Sequence, residues 1–328
     1  MTDITLQELA NRISQKQFDN VKIIPHIRPD FDCIGSALAL QNLLKRMGKT
    51  AWVICDDKLT QRLCRVFGIE DALLDRARLE EHGEPDYRVC VDCASPKLIG
   101  AYAGREIDIV IDHHISNTRF GNVNYVDSGA AATGEIIYLL ADLLGIAIDE
   151  QTASYLYCAI SADCGSFKFS NTTPRTMQIA ASLISTGIDF AVLNQRIYDE
   201  KSFSQLKAEQ FAFTRLQFFA GGRIGVIGIT REMMSENGIE DEDIDNLSDI
   251  PRKILGVEVA ITLKAVAGAE TESYKLSFRS NSGLNVSALA AKFNGGGHIK
   301  AAGGFIVGAL EDCIKTVTDE CASMIEAL

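Results

Sequence analysis

Basic residues are in deficit in this chain: 32 Lys and Arg stand against 44 Asp and Glu, for a formal net charge of −12. A long, sequence-independent grip on DNA or RNA needs a basic surface, so long nucleic acid is disfavoured as a partner. A local basic pocket on an acidic surface leaves short oligonucleotides and mononucleotides open. Long apolar runs are missing too. The best, IIYLLADLLGIAI at 136–148, is broken by Asp142 and falls short of the ~20 residues a membrane span requires. The N-terminal MTDITLQELANRISQ carries acids and amides where a secretory leader has basic residues and an apolar core. The expectation is a cytoplasmic protein with no membrane partner. Nine cysteines, an odd number scattered over 328 residues, do not form a disulfide framework. No internal repeat or low-complexity tract is present.

What is there is an ordinary globular composition, 47% hydrophobic and 23% charged, with length for two domains. Strand and helix signals alternate in the first half. VKIIPHI (21–27), AWVICD (51–56), YRVCVD (87–92), IDIVIDHH (107–114) and the shorter NVNYVD (122–127) read as strands, with helical stretches after the first two. Short Val/Ile runs separated by helices predict an α/β domain, a parallel sheet with helices on both faces. From 131 the pattern turns helical, and Thr173 with Pro174 predicts a capped helix start. Residues 189–220 read as a connecting helix. Beyond them GGRIGVIGIT, VEVAITLKAV and SYKLSFRS are strands, followed by two helices, so a smaller mixed α/β domain is expected. The predicted division is 1–188, 189–220 and 221–328.

Histidine is scarce, with five in the chain, and four fall in three short segments: HIRPDFDCIGS (26–36), DHH (112–114) and GGGH (295–298). His82 sits in a polar stretch and reads as surface. Ligands of open α/β sheets bind beyond the carboxyl ends of the strands. His26, Asp30 and Asp32 follow one such strand, Asp92 ends a second, and Asp112, His113 and His114 end a third. Asp163 closes a helix. In extended chain Asp30 and Asp32 would point the same way, and two adjacent carboxylates repel unless a cation lies between them. An isolated PDxD is better read as a turn capping the next helix, but three strands ending in Asp or His are not explained that way. Mixed imidazole and carboxylate suits Mn, Fe or Zn rather than Ca. So many ligands suit two ions ~3.5–4 Å apart that share a carboxylate and activate a water between them. Cys90-Val-Asp-Cys93 has redox spacing, but strand alternation would put Cys90 with Asp92 and send Cys93 away, so a core role is expected.

The set HxxxDxDxxGS, a strand-end Asp, DHH, and a later Asp before Gly-Ser-Phe resembles the DHH phosphoesterase family. SFRS (277–280) and NGGGHIKAAGG (294–304) resemble its DHHA1 substrate domain, and the likeness runs in order from about 20 to 310. The resemblance implies that His26 and Asp30 bind a first metal ion. It makes Asp32, His113 and Asp163 ligands of a second, and Asp92 a bridge. His114 would face the scissile phosphate as general acid, with Asp112 orienting the imidazoles. Gly35 would let the backbone approach the site, and Ser36 would start the helix. Arg279, Ser280 and His298 would bind substrate, with Gly295, Gly296 and Gly297 presenting backbone N–H groups. His298 also has an ordinary reading, a capping or core residue after a glycine turn. Phe31 and Cys164 depart from the family, which often has Gly and Thr there.

The implied reaction is metal-dependent phosphoester hydrolysis with two divalent ions, manganese first among the candidates, the substrate lying in a cleft between the two domains. The expected substrates are short oligoribonucleotides (nanoRNase activity) and 3′-phosphoadenosine 5′-phosphate. A soluble phosphodiesterase for cyclic di-AMP or its linear dinucleotide is the near alternative. A nucleotide-binding regulator with an inactive metal site is the alternative of another class. The oligomeric state, a homodimer included, is left open.

Overall fold

The structure, a computed structural model, describes residues 2–55, 57–69, 84–244, 247–269 and 271–327; His82 lies outside them. The chain forms two compact units, Met1–Glu200 and Lys201–Leu328. The first holds a six-stranded sheet of β1 (Thr2–Asp3), β2 (Val21–Ile24), β3 (Ala51–Val53), β4 (Tyr87–Val91), β5 (Ile109–Asp112) and β6 (Val123–Val126). Its order is β1-β6-β5-β4-β2-β3, and every pairing is parallel.

Strand alternation divides these runs between two cores. Val21 and Ile23, Val89 and Val91, and Ile109 and Ile111 enter the larger cluster. There they meet apolar faces of α1 (Leu6–Ser14), α2 (Phe31–Arg46), α3 (Gln61–Phe67), α4 (Thr133–Leu143), α5 (Glu150–Asp163) and α6 (Pro174–Ile184). Ile24, Cys90 and Val110 point the other way. They pack with Cys93, Ile99, Tyr102 and Ile107, where the short helical turns Pro96–Leu98 and Gly100–Tyr102 lie. Thr173 caps α6 through the Thr176 amide with Pro174 in the first turn, as the sequence predicts.

Residues 189–220 are not one connecting helix. Helical turns at Phe190–Asn194 and Gln195–Asp199 close the first unit, and Glu200 is extended (φ −74°, ψ 127°). Ser202 then caps a fresh helix, α7 (Phe203–Thr214), accepting from the Gln205 amide. The second unit follows with a mixed sheet of β7 (Leu216–Phe219), β8 (Ile224–Ile229), β9 (Val259–Ala265), β10 (Ser273–Ser280), β11 (Gly296–Gly297) and β12 (Ala301–Val307). Its order is β11-β12-β10-β9-β8-β7, with only β8–β9 parallel. Helices α8 (Val286–Ala291) and α9 (Leu310–Glu326) contribute to the core built on Tyr274, Leu276 and Phe278.

Candidate metal centre

β5, β4 and β2 are neighbours, with Ile24 opposite Cys90 and Val91 opposite Ile111. Their carboxyl ends therefore place His26, Asp92 and the Asp112–His114 run side by side. Asp30 is the N-cap of α2, and its Oδ1 accepts from the Cys33 amide at 3.0 Å. The capping role and the proximity to His26 (Nε2 to Oδ1, 4.0 Å) coexist. Asp30 and Asp32 do not share an extended segment: the helix begins at Phe31, and Asp32 lies within its first turn, fully buried.

Asp32 has a partner that sequence spacing does not announce. No local side chain caps α4, and a helix start leaves amides without partners. Asp32 supplies them: Oδ2 accepts from the Thr133 amide at 2.7 Å and Oδ1 from the Gly134 amide at 2.9 Å. Ser36 Oγ adds a bond to Oδ1 at 2.9 Å. Ser36 is thus inside α2 rather than at its start. Gly35 faces α5, not the site. A methyl there would lie 2.6 Å from Tyr155 O, an overpacking worth roughly 1–3 kcal/mol.

Asp92 takes left-handed backbone (φ 54°) just past the end of β4. Strand alternation ends there, which puts Cys90 and Cys93 together in the smaller core, and Cys93 bonds Ser95 O. The expectation that Cys93 points away from Cys90 fails for that reason. Asp92 Oδ1 accepts from Thr133 Oγ1 at 2.9 Å, and Oδ2 lies 3.7 Å from His26 Nε2.

His113 decides what the centre can hold. Its Nδ1 faces the Ala130 carbonyl oxygen at 3.3 Å, which can only accept, so Nδ1 carries a hydrogen. In the neutral ring Nε2 then bears a lone pair. That Nε2 is buried without a hydrogen-bond partner. Around it stand Asp163 Oδ2 at 3.2 Å, Asp92 Oδ1 at 3.7 Å and Asp32 Oδ2 at 3.8 Å. A lone pair among three carboxylates is unfavourable without a cation. His26 is set the same way, with Nδ1 on Ile27 O at 2.8 Å and Nε2 towards Asp92.

Without metal, protons do part of that work. Burial works to lower His113, but the Asp163 contact and the charges of Asp32 and Asp92 outweigh it and raise its pKa to about 11. Burial and the neighbouring Asp92 hold Asp32 well above the usual carboxylate range; burial and Asp30 do the same for Asp92. Ligating atoms of Asp32, His113 and Asp163 lie within 4.8 Å of one another, as do those of His26, Cys33 and Asp92 and those of Asp92, His113 and His114. The residues present fit a divalent cation.

Asp112 is set apart from this group. Its Oδ1 accepts from the His113 amide and from His114 Nδ1, both at 2.8 Å, and its Oδ2 accepts from Asn117. Burial works to raise it, and these bonds hold it low. It therefore orients the His114 ring; the His113 ring is oriented by Ala130. Sequence reasoning missed Thr133, Gly134, Asn117 and Cys33. The GAAATG run before α4 was a signal: small residues without a local cap mark a helix start held from elsewhere.

In the second unit Arg279 pairs with Ala301 across β10 and β12, and Ser280 N donates to Lys300 O at 2.9 Å. The His298 amide donates to Ala301 O at 2.8 Å, so Arg279, Ser280 and His298 share one end of that sheet. Arg279 is half-buried, and burial lowers its pKa. Ser280 is buried with Oγ on Ser282 O, a turn contact. His298 is exposed on its turn, not a core residue. The glycines do not present a row of amides. Gly295 N is bonded to Ala290 O, and side chains at Gly295 or Gly297 would strike β12, within 1.9 Å of Gly303 O and 2.7 Å of Ala301 O. Gly296 alone has open space.

A parallel sheet carrying His and Asp at three adjacent strand ends, followed by a mixed-sheet unit with GGGH, defines the class. Residues 20–160 match the DHH family, N-terminal domain, and residues 224–323 match the DHHA1 domain. The chain belongs to the DHH family and is a metal-dependent phosphoesterase. It is 31% identical over 306 residues to the bifunctional oligoribonuclease and PAP phosphatase NrnA of Thermus thermophilus, covering 92% of this chain and 90% of that protein. It is 27% identical over 296 residues to the probable bifunctional oligoribonuclease and PAP phosphatase NrnA of Streptococcus mutans, covering 88% and 90%. In structure it resembles an exopolyphosphatase-related protein from Bacteroides fragilis, with a TM-score of 0.86, 25% identity, and coverage of 97% of this chain and 95% of that one.

Proposed function

We propose that the protein is a two-metal phosphoesterase that hydrolyses short oligoribonucleotides and removes the 3′-phosphate from 3′-phosphoadenosine 5′-phosphate. The observation that carries this reading is the buried Nε2 of His113 among the carboxylates of Asp32, Asp92 and Asp163. The names of the two curated relatives supply the substrate class. On this reading His26 and Asp30 hold one ion, Asp32, His113 and Asp163 hold the other, and Asp92 serves both. Its place in two of the candidate ligand groups supports that assignment. Bound divalent ions, manganese by preference, would neutralise phosphoryl charge and lower the pKa of the attacking water.

The chain's own groups supply the rest. Ala130 O and Ile27 O fix the tautomers of His113 and His26. Asp112 holds His114 Nδ1, and that bond with its charge raises the His114 pKa against burial, which works to lower it. The raised pKa favours the protonated ring that His114 would need to donate to the leaving oxygen. Arg279 and the exposed His298 would hold the end of the nucleotide, with Ser280 and the glycines shaping the turn beside them. All nine cysteines are thiols and no helix among the described residues is long and apolar enough to cross a membrane, which accords with work in a reducing cytoplasm. The net charge of −12 supports short substrates over long RNA.

Turnover of a dinucleotide, a five-nucleotide RNA, a ~20-nucleotide RNA, the adenosine bisphosphate and a cyclic dinucleotide, compared with manganese present, tests this. Preference for the two short RNAs and the bisphosphate is expected. Preference for the cyclic dinucleotide would move the assignment to that substrate, and preference for the longest RNA would make the protein a processive exonuclease.

A further inference from the structure

α3 begins beyond the carboxyl end of β3, the edge strand beside β2, and meets the start of α2 where Phe67 packs on Phe31 (ring centres 5.8 Å apart). Arg62, its second residue, is half-buried, with its guanidinium carbon 5.6 Å from the centre of the Phe31 ring. Phe31 lies between Asp30 and Asp32. Arg62 Nε is shielded from solvent and has no hydrogen-bond partner. Arg46, Arg65, Arg88, Arg119 and Arg175 of the same unit face Asp149, Glu200, Glu84, Asp3 and Glu135 respectively. Arg62, like Arg12, Arg28 and Arg196, faces no carboxylate at ion-pair distance among the described residues, and of these four it is the one with its guanidinium over the Phe31 ring at the start of α2. Its Nε shares this shielding with those of Arg88, Arg215, Arg231 and Arg252, and partial burial lowers the Arg62 pKa.

The surroundings point to where an anion would come from. Arg62 also lies near Tyr198, whose hydroxyl accepts from the Ser166 amide at 3.1 Å and donates to Ser161 O at 2.5 Å. These bonds hold the loop that follows Asp163, where Gly165, Ser166 and Phe167 are all left-handed (φ 55°, 57° and 61°). Ser166 and Phe167, which unlike Gly165 carry a Cβ, are strained by this backbone, and it persists only where the surroundings enforce it. Lys168, next in that loop, places its ammonium 5.9 Å from the centre of the Tyr198 ring. Arg62 thus sits between the two segments that bring Asp30, Asp32 and Asp163 to the centre. The Phe31 ring lies within cation–π reach of its guanidinium, whose planar fork matches the paired oxygens of a phosphate.

We propose that Arg62 is a substrate-binding residue that receives a second, non-scissile phosphate of the nucleotide beside the metal centre. This rests on the phosphoesterase reading and goes beyond it by assigning a phosphate site on the catalytic unit. The test uses the full chain loaded with manganese and the variants Arg62→Met and Arg62→Lys. Met keeps apolar contact with Phe31, and Lys keeps the charge without the fork. The substrates are a dinucleotide with a 5′-phosphate, the same dinucleotide without it, and a bis-aryl phosphodiester.

With Arg62→Met, KM for the phosphorylated dinucleotide should rise about 10–100-fold, the loss of a charge-assisted hydrogen bond, with kcat unchanged. The two substrates lacking that phosphate should be unaffected. Arg62→Lys should recover part of the affinity. The melting temperature of Arg62→Met should not fall, because an unpaired cation has been removed. Equal losses on all substrates, no loss on any, or a lower melting temperature with no change in selectivity would each overturn the assignment. Calorimetric titration of adenosine 5′-monophosphate into wild type and Arg62→Met decides the same point without turnover. If wild type cleaves none of the three substrates but binds the monophosphate through Arg62, the phosphoesterase reading fails and the phosphate site stands.

Discussion

His114 Nδ1 donates to Asp112 Oδ1 at 2.8 Å, and the same oxygen takes the His113 amide at 2.8 Å. One carboxylate thus fixes both the backbone of the DHH turn and the ring of its last residue. Because this bond engages Nδ1, the proposed general-acid role would fall to Nε2.

That arrangement predicts a pH signature. Burial works to lower the His114 pKa, and Asp112 raises it beyond its ordinary value of 6.5. A general acid must be protonated, so His114 would set an alkaline limb on which kcat falls as pH rises through the raised pKa. Asp112→Asn removes the charge, so the alkaline limb should move to lower pH. At neutral pH kcat should drop roughly 10–100-fold, as for other residues that orient a catalytic group. Metal content should be unchanged. An unmoved alkaline limb would assign the proton transfer to another group.

Metal removal should abolish turnover, and Asp92→Asn should lower it by at least about tenfold with loss of bound metal. Binding should release protons. In the metal-free chain His113 has a folded pKa of about 11 against an ordinary 6.5. Its proton stabilises the fold fully below 6.5, and that stability is lost as pH rises through about 11. A cation must displace this proton, so manganese affinity should rise with pH across the neutral range. Calorimetry in buffers of differing ionisation enthalpy measures the proton count. Affinity that is flat in pH would remove His113 from the ligand set.

Cys90 and Cys93 should be dispensable for chemistry. Both lie in the smaller core, and burial pushes the Cys90 thiol well up, away from reactivity. Replacing them with Ser and Ala should lower the melting temperature while preserving metal content and specific activity. Loss of a bound zinc ion in the double variant would contradict the core assignment.

Arg279→Ala should cost roughly 2 kcal/mol or more in kcat/KM on a nucleotide, the lower end for truncating one partner of a buried charge pair. Metal content should stay intact, and a bis-aryl phosphodiester should be cut at nearly the wild-type rate. His298→Ala should follow the same pattern more weakly, its backbone turn being independent of the ring. Equal losses on nucleotide and generic substrate would make this sheet end a structural support.

The parallel sheet was legible because its strands are continuous Val/Ile runs, and the centre because its ligands cluster at strand ends. What stayed hidden depends on single backbone angles or distant partners. The left-handed turn at Asp92 reverses the facing of Cys93, and alternation has no means of announcing it. Gly35 and Gly295 looked like places where a ligand approaches, yet each is small because another part of the chain crosses it. Ser202 as a cap was visible in principle, but the charged, amide-rich run around it masked the break at Glu200.

The hold of Asp32 on the amides of Thr133 and Gly134 has a consequence for synthesis. Those amides are made 101 and 102 residues after the carboxylate they bind, and Asp163 later still. While the chain emerges from the ribosome, His26, Asp30 and Asp32 are exposed to cellular cations before the rest of the cage exists. On the two-metal reading, a divalent ion met at that stage would find only part of its ligand set. Durable metal loading would then be a late event that reports completion of the first unit.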